Sequence, residues 1–349
     1  MLKNQIRVLS VIIGTMIGAG FASGKELFLF FGQYGPIGFL GVTLSTFLTS
    51  FIIYRTFLLL HENAITNYED FLQYILGKLT HFPFLFSIIK NIVSLFLLVS
   101  FFVMIAGFGA YFAQELSLAP MVGILFLALF CFYIFSHDVS YFIKANTFLI
   151  PFFIAFVLFL GIENFPFATE IIKYLSFSSS GHWLLDAILY SSYNSILLIP
   201  ILVTLSPFLT KKQHIRNVAI GAFGIFLLLS IILLLLLYRI SGSVSLLEIP
   251  ILYSVSDFGS AQVMFYGIMI LIAILTSAIS AGYSFLQNIS VKRKESKKKI
   301  AFCICFFSLF VSSFGFSHLM ELLYPIFGYL GILQICPILL KKRRKTDIK

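Results

Sequence analysis

Long apolar segments occupy most of this chain and leave only short polar stretches between them. A helix that crosses a bilayer needs roughly 20 consecutive apolar residues. Ten segments come close to that length or exceed it, and they leave no room for a soluble domain. They lie at 6–31, 36–60, 84–114, 118–136, 139–162, 183–206, 217–238, 260–289, 300–316 and 319–340. We therefore predict an all-α membrane protein that forms a single polytopic domain over residues 1–349.

The net charge of +10 does not indicate a nucleic-acid partner. The chain is 60% hydrophobic and 11% charged, and its mean hydropathy is +1.02. A nucleic-acid binder gathers its basic residues on one soluble face, whereas here they form short clusters between apolar segments. The surrounding medium predicted by this pattern is a lipid bilayer.

The distribution of Lys and Arg predicts the orientation. With the N-terminus inside, most of the 24 basic residues fall on the cytoplasmic side, as the positive-inside rule requires. Both termini are then cytoplasmic, which agrees with ten spans. Residues 341–349 become a basic cytoplasmic tail, and the expected location is the cell membrane.

Two segments differ from the rest. The first contains Gly14, Gly18, Gly20 and Gly24, and the sixth carries Ser191–Ser195 in its middle. Glycine weakens a helix, and Ser and Asn offer the backbone other hydrogen bonds. We predict that both helices are broken within the membrane. The alternative is that the small residues only let helices pack closely.

The two breaks hold corresponding places, each in the first of five segments. Paired interruptions of this kind are the best sequence indication of a transporter's binding site. The free N–H and carbonyl groups of half-helices suit an anionic group and a small cation, respectively. The residues predicted to surround a solute are Gly18, Ala19, Gly20, Ser23, Ser191, Ser192, Tyr193 and Asn194.

The eighth segment contains a candidate cation site. Ala273, Thr276 and Ser277 stand at i, i+3 and i+4 and therefore share one helical face. Two hydroxyls and a carbonyl there, with carbonyls from the first break, would supply oxygen ligands for Na⁺. The alternative is that both hydroxyls bond to carbonyls of their own helix.

The run Ile13–Glu26 resembles the first-helix signature of the YkvI-type bacterial membrane proteins. Supporting matches are Tyr190–Asn194, Glu248–Pro250 and Tyr324–Tyr329. The resemblance implies the amino acid–polyamine–organocation superfamily and its LeuT-like fold. That fold has ten transmembrane helices in two inverted five-helix repeats, with helices 1 and 6 broken. The repeats would cover 1–162 and 183–340.

The resemblance also implies a sodium site. In Na⁺-coupled members of the wider group, carbonyls at the positions matching Gly14 and Ile17 bind sodium. Their helix-eight partners match Ala273, Thr276 and Ser277. At the position of Phe21, some relatives have an asparagine that serves a second sodium ion, so this resemblance implies only one. No other cofactor or metal is expected.

Two charged residues are candidates for coupling or gating. Lys144 matches a helix-five lysine that replaces sodium in some proton-coupled relatives, although it could instead reach the cytoplasmic interface. Glu26 lies in or near the hydrocarbon, where an ionised carboxylate is costly. It could pair with Lys25, accept helix N–H groups or line a vestibule.

These features together predict a secondary active transporter that works by alternating access. The expected solute is an amino acid or related amine and the expected coupling ion is Na⁺. The alternatives are proton coupling through Lys144 and a permease-like receptor that binds a solute without moving it. No catalytic motif is present in the sequence, so we do not expect an enzyme. The sequence indicates no protein partner.

Overall fold

The computed structural model describes residues 2–77, 83–136, 150–165, 181–240, 247–289 and 294–341. These residues form helices joined by short turns, and no strand occurs among them. In chain order the helices are α1 (Leu2–Met16), α2 (Ala19–Ser23), α3 (Lys25–Phe30), α4 (Ile37–Asn63), α5 (Tyr68–Leu76), α6 (Pro83–Leu116), α7 (Pro120–Phe135), α8 (Ile150–Phe165), α9 (Trp183–Leu205), α10 (Lys212–Arg239), α11 (Pro250–Val255), α12 (Ser260–Asn288), α13 (Lys294–Ser312) and α14 (Phe316–Leu340).

Six of the described helices, namely α4, α6, α9, α10, α12 and α14, are long and apolar enough to cross a membrane. Helices α7 and α8 are apolar but shorter. The count of ten spans and their division into two inverted repeats remain predictions.

One boundary differs clearly from expectation, since α13 begins at Lys294 and so extends into the predicted basic loop before residue 300.

The outer surface of the bundle carries large apolar side chains. On α13, Phe302, Phe306, Phe307 and Phe310 are each more than half exposed. A contiguous apolar surface of this kind would promote association in water. In a bilayer the same side chains contact lipid, so the surface fits a membrane environment.

The first predicted span lies in the middle of the bundle as three helical pieces. Helix α1 packs against α9 and α10, α2 against α11 and α12, and α3 against α9 and α10. Every residue of Ala19–Ser23 is buried. The predicted break in this span is therefore confirmed, and it lies inside protein, where an opened backbone is tolerated at membrane depth.

The predicted break in the sixth span is wrong, because α9 is continuous from Trp183 to Leu205. Its polar side chains donate to carbonyls of their own helix and leave the backbone ladder intact. These bonds are Ser191 Oγ to Ile188 O (2.9 Å), Ser192 Oγ to Ile188 O (2.7 Å), Asn194 Nδ2 to Tyr190 O (3.0 Å) and Ser195 Oγ to Ser191 O (2.7 Å).

Candidate functional site

The first interruption of the central span leaves backbone groups open. The last α1 turn closes with Ile17 N–H donating to Ile13 O (2.9 Å), and α2 starts with Ala22 N–H donating to Gly18 O (2.9 Å). Within the described residues, the carbonyls of 14–17 accept no backbone hydrogen bond. These carbonyls lie at the C-terminal, partially negative end of α1.

At the second interruption, Gly24, side-chain hydroxyls donate to backbone carbonyls. Gly24 has φ +81°, in the left-handed region that favours glycine, and this turn separates α2 from α3. The Ser23 hydroxyl donates to Gly20 O (2.9 Å), and the Tyr266 hydroxyl of α12 donates to Ala22 O (2.7 Å). The carbonyls of Gly20 and Ala22 therefore accept side-chain hydrogen bonds, in contrast to those at the first interruption.

A cavity of about 310 Å³ lies beside the first interruption. Gly14, Gly18 and Gly20 border the cavity, so backbone of the broken span forms part of its wall. A Cβ built at Gly18 would meet no atom within 4 Å. Such a volume lies at the lower end of the roughly 300–1,000 Å³ typical of ligand pockets. The break therefore opens into a space suited to a small molecule.

The cavity wall includes the carboxyl group of Glu26, which is only 5% exposed. No hydrogen bond or ion pair to this carboxyl group occurs among the described residues. Its Oε2 lies 3.1 Å from the position that a Gly20 Cβ would occupy. Glu26 therefore borders the cavity, while Lys25 lies against Glu321.

The neighbouring Lys25 is held elsewhere. Its Nζ donates to Leu247 O (3.2 Å) and lies 3.8 Å from Glu321 Oε1, and the side chain is 1% exposed. Near this pair, the Glu248 carboxylate accepts hydrogen bonds from the backbone N–H and the hydroxyl of Ser317, both at 2.7 Å. These contacts join the start of α3 to Leu247 and to α14, and they join Glu248 to α14.

Half of the predicted solute residues line the cavity, namely Gly18, Gly20, Tyr193 and Asn194. The other four, Ala19, Ser23, Ser191 and Ser192, are buried in helix packing and are not part of its wall. The Tyr193 hydroxyl has no hydrogen-bond partner among the described residues although it is buried. Helix α9 therefore contributes to the wall through side chains on an intact helix.

The predicted cation residues divide in a similar way. Gly14 and Ser277 line the cavity, whereas Ile17, Ala273 and Thr276 do not. The Thr276 hydroxyl donates to Ile272 O (2.8 Å) and Ala273 O (3.2 Å), which is the alternative that the sequence left open.

Four hydroxyl residues on this wall were missed by the sequence analysis: Thr15, Ser100, Ser280 and Ser284. Ser280 and Ser284 follow Ser277 at i+3 and i+7 on α12, so all three share one helical face. That spacing is the signal that could have identified them. The remaining coupling candidate, Lys144, lies outside the described residues.

No protein-family model matches the chain. The chain is 26% identical over 341 residues to the uncharacterized membrane protein YkvI of Bacillus subtilis (strain 168), with 96% of each chain covered. It is also 25% identical over 343 residues to the uncharacterized protein YyaD of the same organism, with 94% of each covered. Neither relative is named as an enzyme.

Among solved structures, the chain aligns with a Na⁺-coupled sialic acid symporter in a substrate-bound outward-open state. The alignment covers 97% of this chain and 87% of that chain, at 13% identity and a TM-score of 0.43, which is too low to establish a shared fold. The similarity to YkvI and the apolar helices identify a multi-pass membrane protein. Its superfamily, its LeuT-like fold and the side on which its termini lie remain predictions.

Proposed function

We propose that this protein is a secondary active transporter of a small organic solute, an amino acid or related amine, coupled to Na⁺. The observation that carries the proposal is the cavity at the open break of the central helix. Its wall combines free backbone carbonyls, hydroxyls and a buried carboxyl group at membrane depth. Backbone that is not hydrogen-bonded within its own helix is tolerated there only where it faces protein or an aqueous or ligand-filled space.

The unpartnered groups on the wall favour a binding role over a purely structural one. A buried polar group without a partner costs roughly 1–3 kcal/mol. The buried Tyr193 hydroxyl has no hydrogen-bond partner among the described residues, and it borders the cavity together with Glu26. A polar solute that supplies the missing hydrogen bonds would offset that cost.

The Na⁺ part of the proposal rests on the oxygen atoms near Gly14 and Ser277. Both residues border the cavity, and the Gly14 carbonyl accepts no backbone hydrogen bond among the described residues. Neutral carbonyl and hydroxyl oxygens are suitable ligands for a hard cation. Ile17, Ala273 and Thr276 complete the proposed set, and the Thr276 hydroxyl also donates to Ile272 O within α12.

The experiment compares uptake into proteoliposomes and thermal stability in detergent, each with Na⁺ or with choline at equal ionic strength. Amino acids and small amines form the panel. Binding stabilises a protein by about 2.7 kcal/mol at a hundredfold excess over Kd. We expect solute-dependent stabilisation that requires Na⁺, and uptake driven by an inward Na⁺ gradient.

Stabilisation that depends on pH but not on Na⁺ would favour proton coupling through Lys144. Saturable binding without uptake would favour the receptor alternative.

The double substitution Thr276→Ala with Ser277→Ala tests the cation residues. We expect it to abolish the Na⁺ dependence of solute binding while the protein still folds, because the hydroxyl ligands are removed. A matched control is Thr43→Ala with Ser313→Ala, which removes two exposed hydroxyls that donate to carbonyls of α4 and α13. Unchanged Na⁺ dependence in the first variant would contradict the cation assignment.

A further inference from the structure

Among the described residues that border the cavity, one carries a full charge, and that charge is negative. Its described wall contains the carboxyl group of Glu26 and no Lys, Arg or His. The open carbonyl end of α1 adds a partial negative charge on the same side. The described part of the wall is therefore better suited to a positively charged group than to an anion.

This imbalance arises from the turn at Gly24. The left-handed turn starts α3 at Lys25, and the two adjacent charges then point to different surroundings. Lys25 contacts Glu321 and the Leu247 carbonyl, whereas the Glu26 carboxyl group borders the cavity beside Gly20. The lysine next to Glu26 in sequence therefore does not neutralise it.

Aromatic rings cover another part of the same wall. Phe96, Tyr193 and Tyr324 all border the cavity. The Tyr193 ring lies 5.0 Å from the Tyr324 ring and 6.1 Å from the Phe96 ring, centroid to centroid, so the three form a continuous surface. A desolvated ammonium group is attracted both to a carboxylate and to aromatic rings.

We propose that Glu26 binds an ammonium group of the solute, so that the site selects protonated amines over analogues in which a hydroxyl replaces the amine. The inference rests on the proposed function, because it assumes that the cavity holds the solute. It narrows that function by making the amine the required chemical group and Glu26 the residue that recognises it. Phe96, Tyr193 and Tyr324 complete the ammonium site.

The test measures equilibrium binding in detergent with pairs of probes that differ in one group. Suitable pairs are isobutylamine and isobutanol, ethanolamine and ethylene glycol, and alanine and lactate. The wild type is expected to bind at least one amine more than tenfold more tightly than its hydroxyl partner. Glu26→Gln keeps the shape of the side chain and is expected to weaken amine binding by about tenfold or more, the loss typical of one charge-assisted hydrogen bond.

Two further variants keep this test independent of folding. Glu26→Asp retains the charge and is expected to restore part of the amine preference. Glu163→Gln makes the same chemical change on an exposed side chain at the end of α8 and is expected to leave binding unchanged. All variants are compared by size-exclusion elution and melting temperature, so that a misfolded Glu26→Gln is recognised and Glu26→Asp then decides the outcome.

Three results would overturn the inference: a wild type that binds none of the amines, equal binding of amines and hydroxyl compounds, or an unchanged amine preference in Glu26→Gln. A Glu26→Gln variant that changes only the pH dependence of uptake would also overturn it and would make the residue a proton carrier. Because binding is measured without a gradient, amine selectivity without uptake would leave the inference standing and overturn transport. Uptake that Glu26→Gln does not change would leave transport standing and overturn the inference.

Discussion

The central broken span and helix α9 both contain a cluster of small or polar residues, yet only one of them is interrupted. In the broken span, the four glycines from Gly14 to Gly24 have no side chain that could bond to the backbone. In α9 the side chains of Ser191, Ser192, Asn194 and Ser195 donate to carbonyls three or four residues earlier. Helix α9 even continues past Pro200, which lacks a backbone N–H.

The surroundings of the two clusters differ as well. A Cβ at Gly331 of α14 would lie 2.4 Å from the Ser192 carbonyl oxygen, so α14 packs closely on the α9 backbone. A Cβ at Gly18 would meet nothing within 4 Å. The serine cluster is therefore a packing surface on one side, as small residues in membrane helices often are. The glycine cluster is open to the cavity at Gly18 and closely packed at Gly24.

The largest expected effect is at the turn that separates α2 from α3. Gly24→Ala would place a Cβ 2.4 Å from Ile251 Cγ1 at φ +81°. The left-handed backbone costs an L-residue roughly 1–2 kcal/mol, and overpacking adds roughly 1–3 kcal/mol. We expect a loss of about 3 kcal/mol in stability, measured as a lower melting temperature in detergent.

The matched control is Gly224→Ala in α10, where an added Cβ would meet no atom within 4 Å. It removes a glycine from a helix interior and is expected to preserve or raise stability. If Gly24→Ala melted at the same temperature as Gly224→Ala, the turn at Gly24 would not be a required part of the break.

A smaller effect is expected within the break itself. Gly20→Ala would bring a Cβ to 2.8 Å from Met320 Cε and 3.1 Å from Glu26 Oε2. Both atoms end flexible side chains and can move, so the expected loss is about 1 kcal/mol. Displacing the Glu26 carboxyl group should also weaken the binding of whichever solute the wild type binds.

Gly18→Ala is the comparison for that variant, because Gly18 has extended backbone angles (φ −90°, ψ 179°) and open space beside it. We expect its melting temperature to match that of the wild type. The binding isotherm and the melting curve of each variant are measured together. Equal destabilisation by the two alanines would show that the break tolerates no side chain at all, whatever the neighbouring atoms.

The sequence predicted the first break because four glycines fall between Gly14 and Gly24, and each weakens a helix by roughly 1 kcal/mol relative to alanine. The outcome at Ser191–Ser195 could not be read in the same way, since a hydroxyl can either open a helix or bond within it. Which of these occurs depends on whether a neighbour such as α14 covers that backbone. The sequence pattern carries no information on that contact.

The position of Glu26 illustrates the same limit. Its place next to Lys25 in the sequence suggested a local ion pair as readily as a vestibule residue. The turn at Gly24 directs Lys25 towards Glu321 and leaves Glu26 on the cavity wall. Residue spacing on α12 could have found Ser280 and Ser284 beside Ser277, because helical periodicity is a local property.

The smallest expected effect tests whether α9 is intact. Ser191→Ala and Ser192→Ala each remove a hydroxyl that donates to Ile188 O, a carbonyl that the helix ladder also uses. Because the backbone bonds remain, we expect each variant to change stability by no more than about 0.5 kcal/mol. The helix content, measured by far-UV circular dichroism in detergent, should not change. A clear gain in helicity in Ser192→Ala would mean that the wild-type segment is open in solution. The two clusters would then differ only in degree.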